Sequence, residues 1–468
     1  MFSADLWRPF DIRPLTYLTF WLNAQLGARN PAGYHAVNLL LHLTAVWLLW
    51  NVLRRLVSVK AAWIAAAIFA VHPFQAEPVN YIFARSTLLA TVLCLASLST
   101  WIRGHRWWAV AWFGAALLAK EECAAFPLFL LLLELAPSRE RGESRAGIRR
   151  DLLAVLTMLA LSMLAGVRVL LAAASMPGSG VGAGAGIAWH SYALAQGAVI
   201  LRYLRMFVLP WGFCADPDIR VPAVWLGALA WLAVAALAVL AALRFRRSPA
   251  ALWFLGGLLL LLPSSSILPA ADLASDRRMY LPMIGFAGAA ALLLERARPP
   301  VLAAMLLLLA GLSTARTATW RSEESLWRDA VEKAPAQVRP RIQLARALAP
   351  PDALRLLEEA QRIAPDDARI PAEQGRIYLS LGQPDQALVA FGRALALAPH
   401  SADAFNNRGA ALLALDQKQA AREDFERALE IDPCQFDARL NLHRLGRPLP
   451  APAACRYSAE QAEALREN

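Results

Sequence analysis

Long apolar runs alternate with short polar loops from about Tyr34 to Arg316. Runs of roughly 15 to 23 apolar residues have the length that an α-helix needs to cross a bilayer. In chain order, the runs cover about 35–53, 61–72, 83–102, 107–119, 122–136, 151–174, 188–210, 222–243, 250–269, 279–295 and 299–316. The pattern therefore predicts an all-α fold that begins with a polytopic membrane helix bundle over residues 1–316.

The pattern changes after about Thr317, where charged residues become frequent. Pro365, Pro399 and Pro433 lie 34 residues apart (399 − 365 and 433 − 399), which is the period of tetratricopeptide repeats. Small and aromatic residues return at the same spacing, as Gly375, Tyr378, Ala387, Phe391 and Ala394 and again as Gly409, Leu412, Ala421, Phe425 and Ala428. We predict an α-solenoid of about three repeats over 317–446, followed by a Pro-rich linker and a terminal helix over 447–468.

Stacked repeats form an extended concave surface that binds peptides or proteins. We expect Tyr378, Asn406, Asn407 and Arg408 to line this groove. The repeats would then hold a protein or peptide acceptor or partner. A structural stack without a ligand is the alternative, because a fold alone does not decide function.

Composition agrees with a membrane domain, since 58% of the residues are hydrophobic, against about 45–50% in soluble proteins. The mean hydropathy is +0.40. The net charge of +11 would suit a nucleic-acid partner, but most arginines lie in short loops beside apolar runs, where they mark topology. We find no nucleic-acid motif and expect no nucleic-acid partner.

The five cysteines form no CxxC pair or His/Cys cluster with metal-ligand spacing, so no metal site is predicted from them. Cys94 and Cys123 lie in apolar runs and are predicted to be packing residues. Cys434 and Cys455 can form a disulfide if the repeat domain faces an oxidising compartment.

Clusters of arginine and lysine indicate which loops are cytoplasmic. They occur at residues 54–60, 103–106, 139–150, 244–247 and 296–298. The loops at 139–150 and 244–247 are both basic and therefore on the same side of the membrane. An even number of spans must join them, but three apolar runs lie between them. We therefore predict that run 188–210, which carries Arg202 and Arg205, is an interfacial or re-entrant helix on the outer side. About ten spans remain, with the N-terminus and the repeats outside.

The sequence starts at Met1 without a signal peptide. Because an outside N-terminus needs something to export it, we expect that one spanning helix precedes this sequence in the full protein. Unaided insertion of run 35–53 in that orientation is the alternative.

The turn between runs 61–72 and 83–102 carries His72, Glu77 and Arg85 around two prolines. Ionisable groups at the edge of the hydrocarbon are costly, so they usually pair and usually serve a function. A satisfied interfacial turn with no functional role is the alternative.

The alternation of cytoplasmic and outer loops places several charged residues on the outer face. The cations are Arg85, Lys120, Arg277 and Arg278, and the acids are Glu77, Glu121, Glu122, Asp272 and Asp276. Their convergence on one face predicts a site there. The alternatives are a local ion pair between Lys120 and Glu121, and a helix anchor formed by Asp276 and Arg277.

Six motifs, in chain order, resemble the transmembrane and tetratricopeptide-repeat O-mannosyltransferase-like proteins. They are RPLTYLTFWLN at 13–23, YHAVNLLLH at 34–42, His72-Pro73 with Glu77 and Arg85, Lys120-Glu121, DRRMYLP at 276–282, and Thr319-Trp320 with Leu326-Trp327. The resemblance covers nearly the whole chain.

The resemblance implies a GT-C type glycosyltransferase that transfers a sugar from a polyprenyl-phosphate donor to a protein or glycan acceptor on the outer face. An acidic residue in the first outer loop would serve as base or as ligand of a divalent metal; no other cofactor is expected. The acidic pair of the family lies upstream of RPL, where this sequence offers only Asp5 and Asp11.

The resemblance and the charge pattern together assign candidate roles. Asp5, Asp11 and Glu77 are catalytic candidates, while Arg85, Lys120 and Arg277 are candidates for binding the carrier phosphate. His72, Glu121 and Asp276 would support them. The expected partners are membrane lipid, the donor lipid and the acceptor.

Two functions remain open: an active glycosyltransferase and a non-catalytic membrane scaffold whose repeats recruit partners. The Ala- and Arg-rich composition is typical of a GC-rich bacterial source. We therefore expect an inner-membrane protein with periplasmic repeats.

Overall fold

The computed structural model describes residues 13–27, 30–135, 145–175, 186–265, 269–270, 272–450, 452, 455 and 457–466. Most of the described residues are helical and none lies in a β-strand, so the predicted all-α class is confirmed. The chain divides into a unit that ends at Arg321 and a unit that starts at Ser322. The predicted boundary at 316/317 thus lies within the last helix of the first unit, which ends at Ala318.

Thirteen α-helices are described in the first unit. They are α1 (Pro14–Gly27), α2 (Pro31–Leu53), α3 (Val59–Val71), α4 (Ala76–Asn80), α5 (Arg85–Ile102), α6 (Arg106–Ala119), α7 (Phe126–Glu134), α8 (Arg145–Ser175), α9 (Trp189–Val208), α10 (Val224–Arg244), α11 (Pro249–Leu261), α12 (Met283–Leu294) and α13 (Pro299–Ala318).

Five helical segments among the described residues are long and apolar enough to cross a membrane. They are Pro31–Leu53, Ile82–Ile102, Arg149–Leu171, Val224–Arg244 and Pro299–Ala318. Helix α3 and the segment Pro73–Asn80 form a bent pair that passes the same test together, and α11 and α12 are shorter apolar helices. Helix α9, the predicted interfacial helix, is not among the candidate spans. The count of ten spans stays a prediction.

Helices α11 and α12 approach each other more closely than any side chain allows. A Cβ atom on Gly285 would lie 2.3 Å from the backbone nitrogen of Gly257. A Cβ atom on Gly288 would lie 2.9 Å from the ring of Trp253. Such close contacts between small residues are how helices associate in a membrane, where burial of apolar surface gives no net gain.

The second unit contains α14 (Glu323–Lys333), α15 (Val338–Ala347), α16 (Pro350–Ile363), α17 (Arg369–Ser380), α18 (Pro384–Leu397), α19 (Ala402–Ala414), α20 (Lys418–Ile431), α21 (Phe436–Arg444) and α22 (Ala459–Ala464). The pairs α15–α16, α17–α18 and α19–α20 are the three predicted repeats, and α14 packs against α15 in front of them. Helix α21 packs against α20 at the other end.

The two regular repeats, α17–α18 and α19–α20, have the same close contact between their two helices. A Cβ atom on Gly375 would lie 2.6 Å from the ring of Phe391, and one on Gly409 would lie 2.7 Å from the ring of Phe425. The turn inside each repeat also contains one left-handed residue, Gly382 in the first and Asp416 in the second. The 34-residue period therefore records a repeated contact and a repeated turn conformation.

The C-terminal segment folds back on α21. Cys434 and Cys455 form a disulfide with their Cα atoms 5.1 Å apart. Arg439 is buried and donates hydrogen bonds to the carbonyls of Leu449 and Pro450, and its Nε donates to the hydroxyl of Tyr457. These bonds tie described residues from beyond α21 back to that helix.

Replacing Gly409 by Ala should destabilise the second regular repeat by about 1–3 kcal/mol, because the added methyl overlaps the Phe425 ring. The same change at Gly392 in α18 meets no atom within 4 Å and should stabilise that helix by about 0.5–1 kcal/mol. Hydrogen–deuterium exchange of the full chain in detergent, read on α17–α20, measures both. Equal effects of the two substitutions would contradict the contact.

Opening the disulfide should loosen α21 by about 3 kcal/mol, since it closes a loop with a sequence separation of 21. Hydrogen exchange of α21 in the full chain should accelerate on adding a reductant. Cys455→Ser should show the fast exchange without reductant and no further response to it. A wild-type chain that is insensitive to reductant would mean that the two cysteines are not bonded.

Candidate functional site

The turn between α3 and α5 is held by its own residues. Pro73 starts a short 3-10 turn, and the Nδ1 atom of His72 accepts the backbone N–H of Phe74. The Nε2 atom of His72 donates to the carbonyl of Phe207 on α9, 3.1 Å away. His72 therefore fixes the turn against α9, which fits its predicted supporting role.

Glu77 lies on α4 and is 4% exposed. Its Oε1 atom accepts a hydrogen bond from Nη1 of Arg277 at 2.9 Å and from the hydroxyl of Ser275 at 3.2 Å. Its Oε2 atom has no hydrogen-bond partner among the described residues. The carboxylate is thus oriented through one oxygen, while the other oxygen is buried without a hydrogen-bond partner among the described residues.

Asp276 pairs with a helix that the sequence reasoning did not link to it. Its Oδ1 atom lies 3.0 Å from Nη1 of Arg202 on α9. The hydroxyl of Tyr203, also on α9, bonds both the N–H and the carbonyl of Ser275 at 2.8 Å. These contacts place α9 alongside the turn before α12. Asp276 therefore pairs with Arg202 on α9, whereas the alternative considered above was a helix anchor formed by Asp276 and Arg277.

Lys120 pairs with Glu122 rather than with its neighbour in sequence. Its ammonium group lies 2.7 Å from Glu122 Oε2 and donates to the hydroxyl of Thr87 at 2.7 Å. Glu121 turns instead to Arg13, 2.6 Å away. The alternative of a local ion pair between Lys120 and Glu121 therefore does not hold, because the extended backbone at Lys120 sends the two side chains to different partners.

Burial lowers the pKa of Lys120, although the carboxylate of Glu122 opposes the shift. For Glu122, burial raises the pKa, but the hydrogen bond with Lys120 and the attraction of Lys120, Arg278 and Arg13 together lower it below its ordinary value.

The ion pairs Glu77–Arg277 and Lys120–Glu122 lie close enough to influence each other. Burial alone would lower the pKa of Arg277, yet it is raised because Glu77, Asp272 and Glu122 attract the guanidinium. The structure thus brings together the turns around Glu77, Lys120 and Arg277, as the charge pattern predicted. Their catalytic and phosphate-binding roles stay predictions.

Arg85 is fully buried at the start of α5. Its guanidinium donates to the side-chain oxygens of Asn38 and Asn23 and to the carbonyls of Thr19 and Tyr34, at 2.9–3.2 Å. These contacts connect α5 to α1 and α2. These hydrogen bonds explain how the Arg85 guanidinium can be buried, and they give it a structural role. Its binding of the carrier phosphate stays a prediction.

The remaining predictions concern residues away from these ion pairs. Asp5 and Asp11 lie outside the described residues. Within the described residues, no group of three or more His, Cys, Asp or Glu side chains could hold a metal ion. His42 on α2 contacts the Tyr280 hydroxyl at 2.8 Å and the Ala70 carbonyl on α3 at 3.1 Å, so it bonds between helices.

Sequence reasoning missed Arg13, Arg202 and Thr87. Arg202 gave a signal, since an arginine inside an apolar run marked α9 as unusual. Arg13 stands beside the Pro14-Leu15 motif, but nothing in the sequence indicates that Glu121 is its partner.

The predicted groove residues of the repeat unit have different surroundings. Tyr378 packs on the cluster that contains Ala387 and Phe391, and Arg408 holds Asp424 with two bonds of 2.7 Å. Asn406 accepts a hydrogen bond from Asn441 at 3.2 Å, which links α19 to α21, and it donates to Asn407.

One cluster in the repeat unit was not predicted. Arg346 on α15 donates to the carboxylate of Glu373 on α17 through two N–H groups, at 2.9 and 3.0 Å, and Arg376 donates to the same group. The first helices of successive repeats are therefore joined by polar side chains. Whether this surface binds a peptide stays a prediction.

Residues 372–434 match the family model of the tetratricopeptide repeat. The chain is 34% identical over 110 residues to protein O-mannosyl-transferase F38B6.6 of Caenorhabditis elegans, a match covering 21% of this chain and 16% of that protein. It is 35% identical over 143 residues to protein O-mannosyl-transferase Tmtc3 of Drosophila melanogaster, covering 24% of this chain and 15% of that protein. The matches thus span a small part of these relatives.

A solved structure with similarity to the repeats is the first tetratricopeptide domain of Spaghetti (RPAP3) bound to an HSP90 peptide. It is 27% identical and covers 21% of this chain and 77% of that chain, with a TM-score of 0.20. A score this low carries no argument about three-dimensional arrangement. The apolar helices and the similarity to O-mannosyl-transferases indicate a membrane protein with tetratricopeptide repeats.

Replacing Arg85 by Ala should destabilise the membrane unit by about 3 kcal/mol, because it leaves buried oxygens of α1 and α2 without donors. Arg103, at the other end of α5, is exposed, and its replacement by Ala should change stability by less than about 0.5 kcal/mol. Thermal unfolding of the purified chain in detergent measures both. A stable Arg85→Ala chain would contradict the structural role.

Proposed function

We propose that this protein is a membrane glycosyltransferase that moves a sugar from a polyprenyl-phosphate donor to a hydroxyl of a protein acceptor on the outer face. The single observation that carries the proposal is the carboxylate of Glu77. One of its oxygens is held by Arg277 and Ser275, and the other has no partner among the described residues. The names of the relatives, protein O-mannosyl-transferases, support a hexosyl transfer of this kind.

In the proposed reaction, Glu77 Oε2 accepts the proton of the acceptor hydroxyl. The hydroxyl oxygen attacks the anomeric carbon of the sugar and forms the new glycosidic bond. The bond from that carbon to the phosphate oxygen breaks, and its electron pair leaves with the polyprenyl phosphate. Negative charge therefore collects on the phosphate, where a nearby cation stabilises the transition state.

Cations beside the carboxylate suit the second half of this reaction. Arg277 bonds Glu77 directly and is also drawn to Glu122, the partner of Lys120. A guanidinium stays charged at a membrane boundary and offers several donors to a phosphate. Arg85 donates four of its five N–H groups to α1 and α2, so it offers one N–H group to a carrier phosphate unless a present contact is given up.

The repeats would hold the acceptor. Stacked repeats bind peptides along their concave face, and here amide and guanidinium groups such as Asn406, Asn441, Arg346 and Arg376 join the first helices of the repeats. The disulfide between Cys434 and Cys455 favours an oxidising compartment. For a bacterial protein this is the periplasm, with the helices in the inner membrane.

A non-catalytic scaffold is the second candidate function. The observation that favours it is that Arg13, Arg202, Lys120 and Arg277 each have an acidic partner within the unit. A set of internally paired charges stabilises a fold without a substrate.

Replacing Glu77 by Gln should lower transfer at least about 100-fold, because the amide accepts hydrogen bonds but cannot take a proton. The measurement is transfer of radiolabelled mannose from a polyprenyl-phosphate donor to a secreted acceptor protein, by the full chain in nanodiscs. The variant should still fold, because Gln retains the oxygen that Arg277 and Ser275 contact and Arg277 keeps Asp272 as an acidic partner.

The matched control is Glu295→Gln. Glu295 follows α12 at the end of the helix away from Glu77 and bonds Ser58, so transfer should remain at the wild-type level. Full transfer by Glu77→Gln would remove Glu77 as the base. Absence of transfer from the wild-type chain, with binding of a partner protein by the repeats, would favour the scaffold.

A further inference from the structure

Helix α9 bonds the segment that leads into α12. Residues 272–275 of this segment belong to no helix or strand, so neighbouring elements must supply partners for their buried polar groups. Three side chains of α9 do this: Gln196 donates to the carbonyl of Leu273 at 3.0 Å, Tyr203 bonds the backbone of Ser275, and Arg202 pairs with Asp276 at 3.0 Å. The position of the segment is therefore tied to the position of α9.

Tyr203 fixes the backbone of Ser275 from both sides. Its hydroxyl donates to the carbonyl of Ser275 and accepts the N–H of the same residue, both at 2.8 Å. Both residues are buried, where a backbone group without a partner is costly. One hydroxyl thus satisfies the donor and the acceptor of Ser275 and sets the direction of its side chain.

The side chain of Ser275 continues this series of contacts to Glu77. Its hydroxyl donates to Glu77 Oε1 at 3.2 Å, and Arg277 in the following 3-10 turn donates to the same oxygen at 2.9 Å. Both donors belong to the segment that α9 holds, whereas Glu77 lies on α4. The direction of the second oxygen, Oε2, therefore follows from where these two donors hold the first.

We propose that Tyr203 is a positioning residue that orients the Glu77 carboxylate through Ser275. A general base must lie within hydrogen-bond reach of the proton that it accepts, and supporting residues of this kind hold it there to within about 0.5 Å. The role of Glu77 as the base rests on the proposed function, while the orientation of its carboxylate rests on these contacts alone. Tyr203 acts on the base and not on the substrate, so it should affect kcat and not KM.

A second tyrosine on the same helix provides the comparison. Tyr192 is also buried, and its hydroxyl donates to the carbonyl of Ser264 and accepts from Arg278, both at 3.1 Å. Neither of these partners bonds Glu77 in the described part of the chain. Removing either tyrosine hydroxyl therefore breaks two hydrogen bonds of α9, but only Tyr203 leads to the carboxylate.

The experiment measures kcat and KM for the acceptor protein, with a polyprenyl-phosphate mannose donor and the full chain in nanodiscs. Tyr203→Phe should lower kcat about tenfold, because a carboxylate that is no longer held is misplaced for proton transfer, and it should leave KM within about twofold. Tyr192→Phe should leave both within about twofold. The two variants should lose similar thermal stability, since each loses two hydrogen bonds. Equal losses of kcat, or a rise in KM alone for Tyr203→Phe, would overturn the proposal.

Ser275→Ala tests the same path without changing the tyrosine, so it decides the question even if Tyr203→Phe does not fold. It removes only the hydroxyl that bonds Glu77 and should lower kcat about tenfold. Because Tyr203 acts through Ser275, the double variant should also lose about tenfold in all. Multiplied effects, about 100-fold, or full activity of Ser275→Ala would overturn the proposal.

A second readout does not need transfer. Dicyclohexylcarbodiimide, a carboxyl reagent that enters apolar regions, adds to a carboxyl group without a leaving group and forms a stable N-acylurea, which mass spectrometry locates. A carboxyl group that is no longer held is freer to reach the reagent, so Tyr203→Phe and Ser275→Ala should speed labelling of Glu77 at least about threefold. Tyr192→Phe should be labelled at the wild-type rate. Equal labelling rates in all of these chains would overturn the proposal.

The two readouts separate this inference from the proposed function. Labelling that follows the expected variants in a chain without transferase activity would support the orientation of Glu77 by α9 and contradict the proposed function. Transfer that depends on Glu77 but not on Tyr203 or Ser275 would support the function and contradict the positioning role.

Discussion

One requirement organises the membrane unit: a buried charge needs a partner within the protein, because water does not reach it. Arg85 shows this most clearly, because its guanidinium is fully buried and reaches four oxygens on α1 and α2. An unpaired charge of this kind would cost several kcal/mol. The same requirement holds Glu77 to Arg277 and Asp276 to Arg202, and these pairs fix the turns at one end of the bundle. A charged site is therefore built from contacts that the fold itself requires.

Much of the repeat unit could be predicted from sequence because its contacts are local. Gly375 and Phe391, or Gly409 and Phe425, are 16 residues apart and lie in consecutive helices. A contact of this range leaves a visible period in the sequence. In the membrane unit, the apolar runs and the charged turns were equally visible, and so was the gathering of those turns.

The partners within the site could not be predicted in the same way. Arg13 and Glu121 are 108 residues apart, and Glu77 and Arg277 are 200 apart. No periodicity connects positions so distant, and adjacency in sequence suggested a partner for Lys120 that the backbone does not allow. The contacts of Arg85 with Asn38 and Asn23, 47 and 62 residues away, were equally hidden in the sequence.

The folded-back segment at the C-terminus has a consequence for assembly. A solenoid normally ends in a surface on which one more repeat could stack, and an identical chain can supply that repeat. Here the disulfide Cys434–Cys455 and the hydrogen bonds of Arg439 hold residues from beyond α21 against that helix. A further repeat that stacks on α21 would have to share this surface with the segment or displace it, and reduction of the bond would make the segment easier to displace.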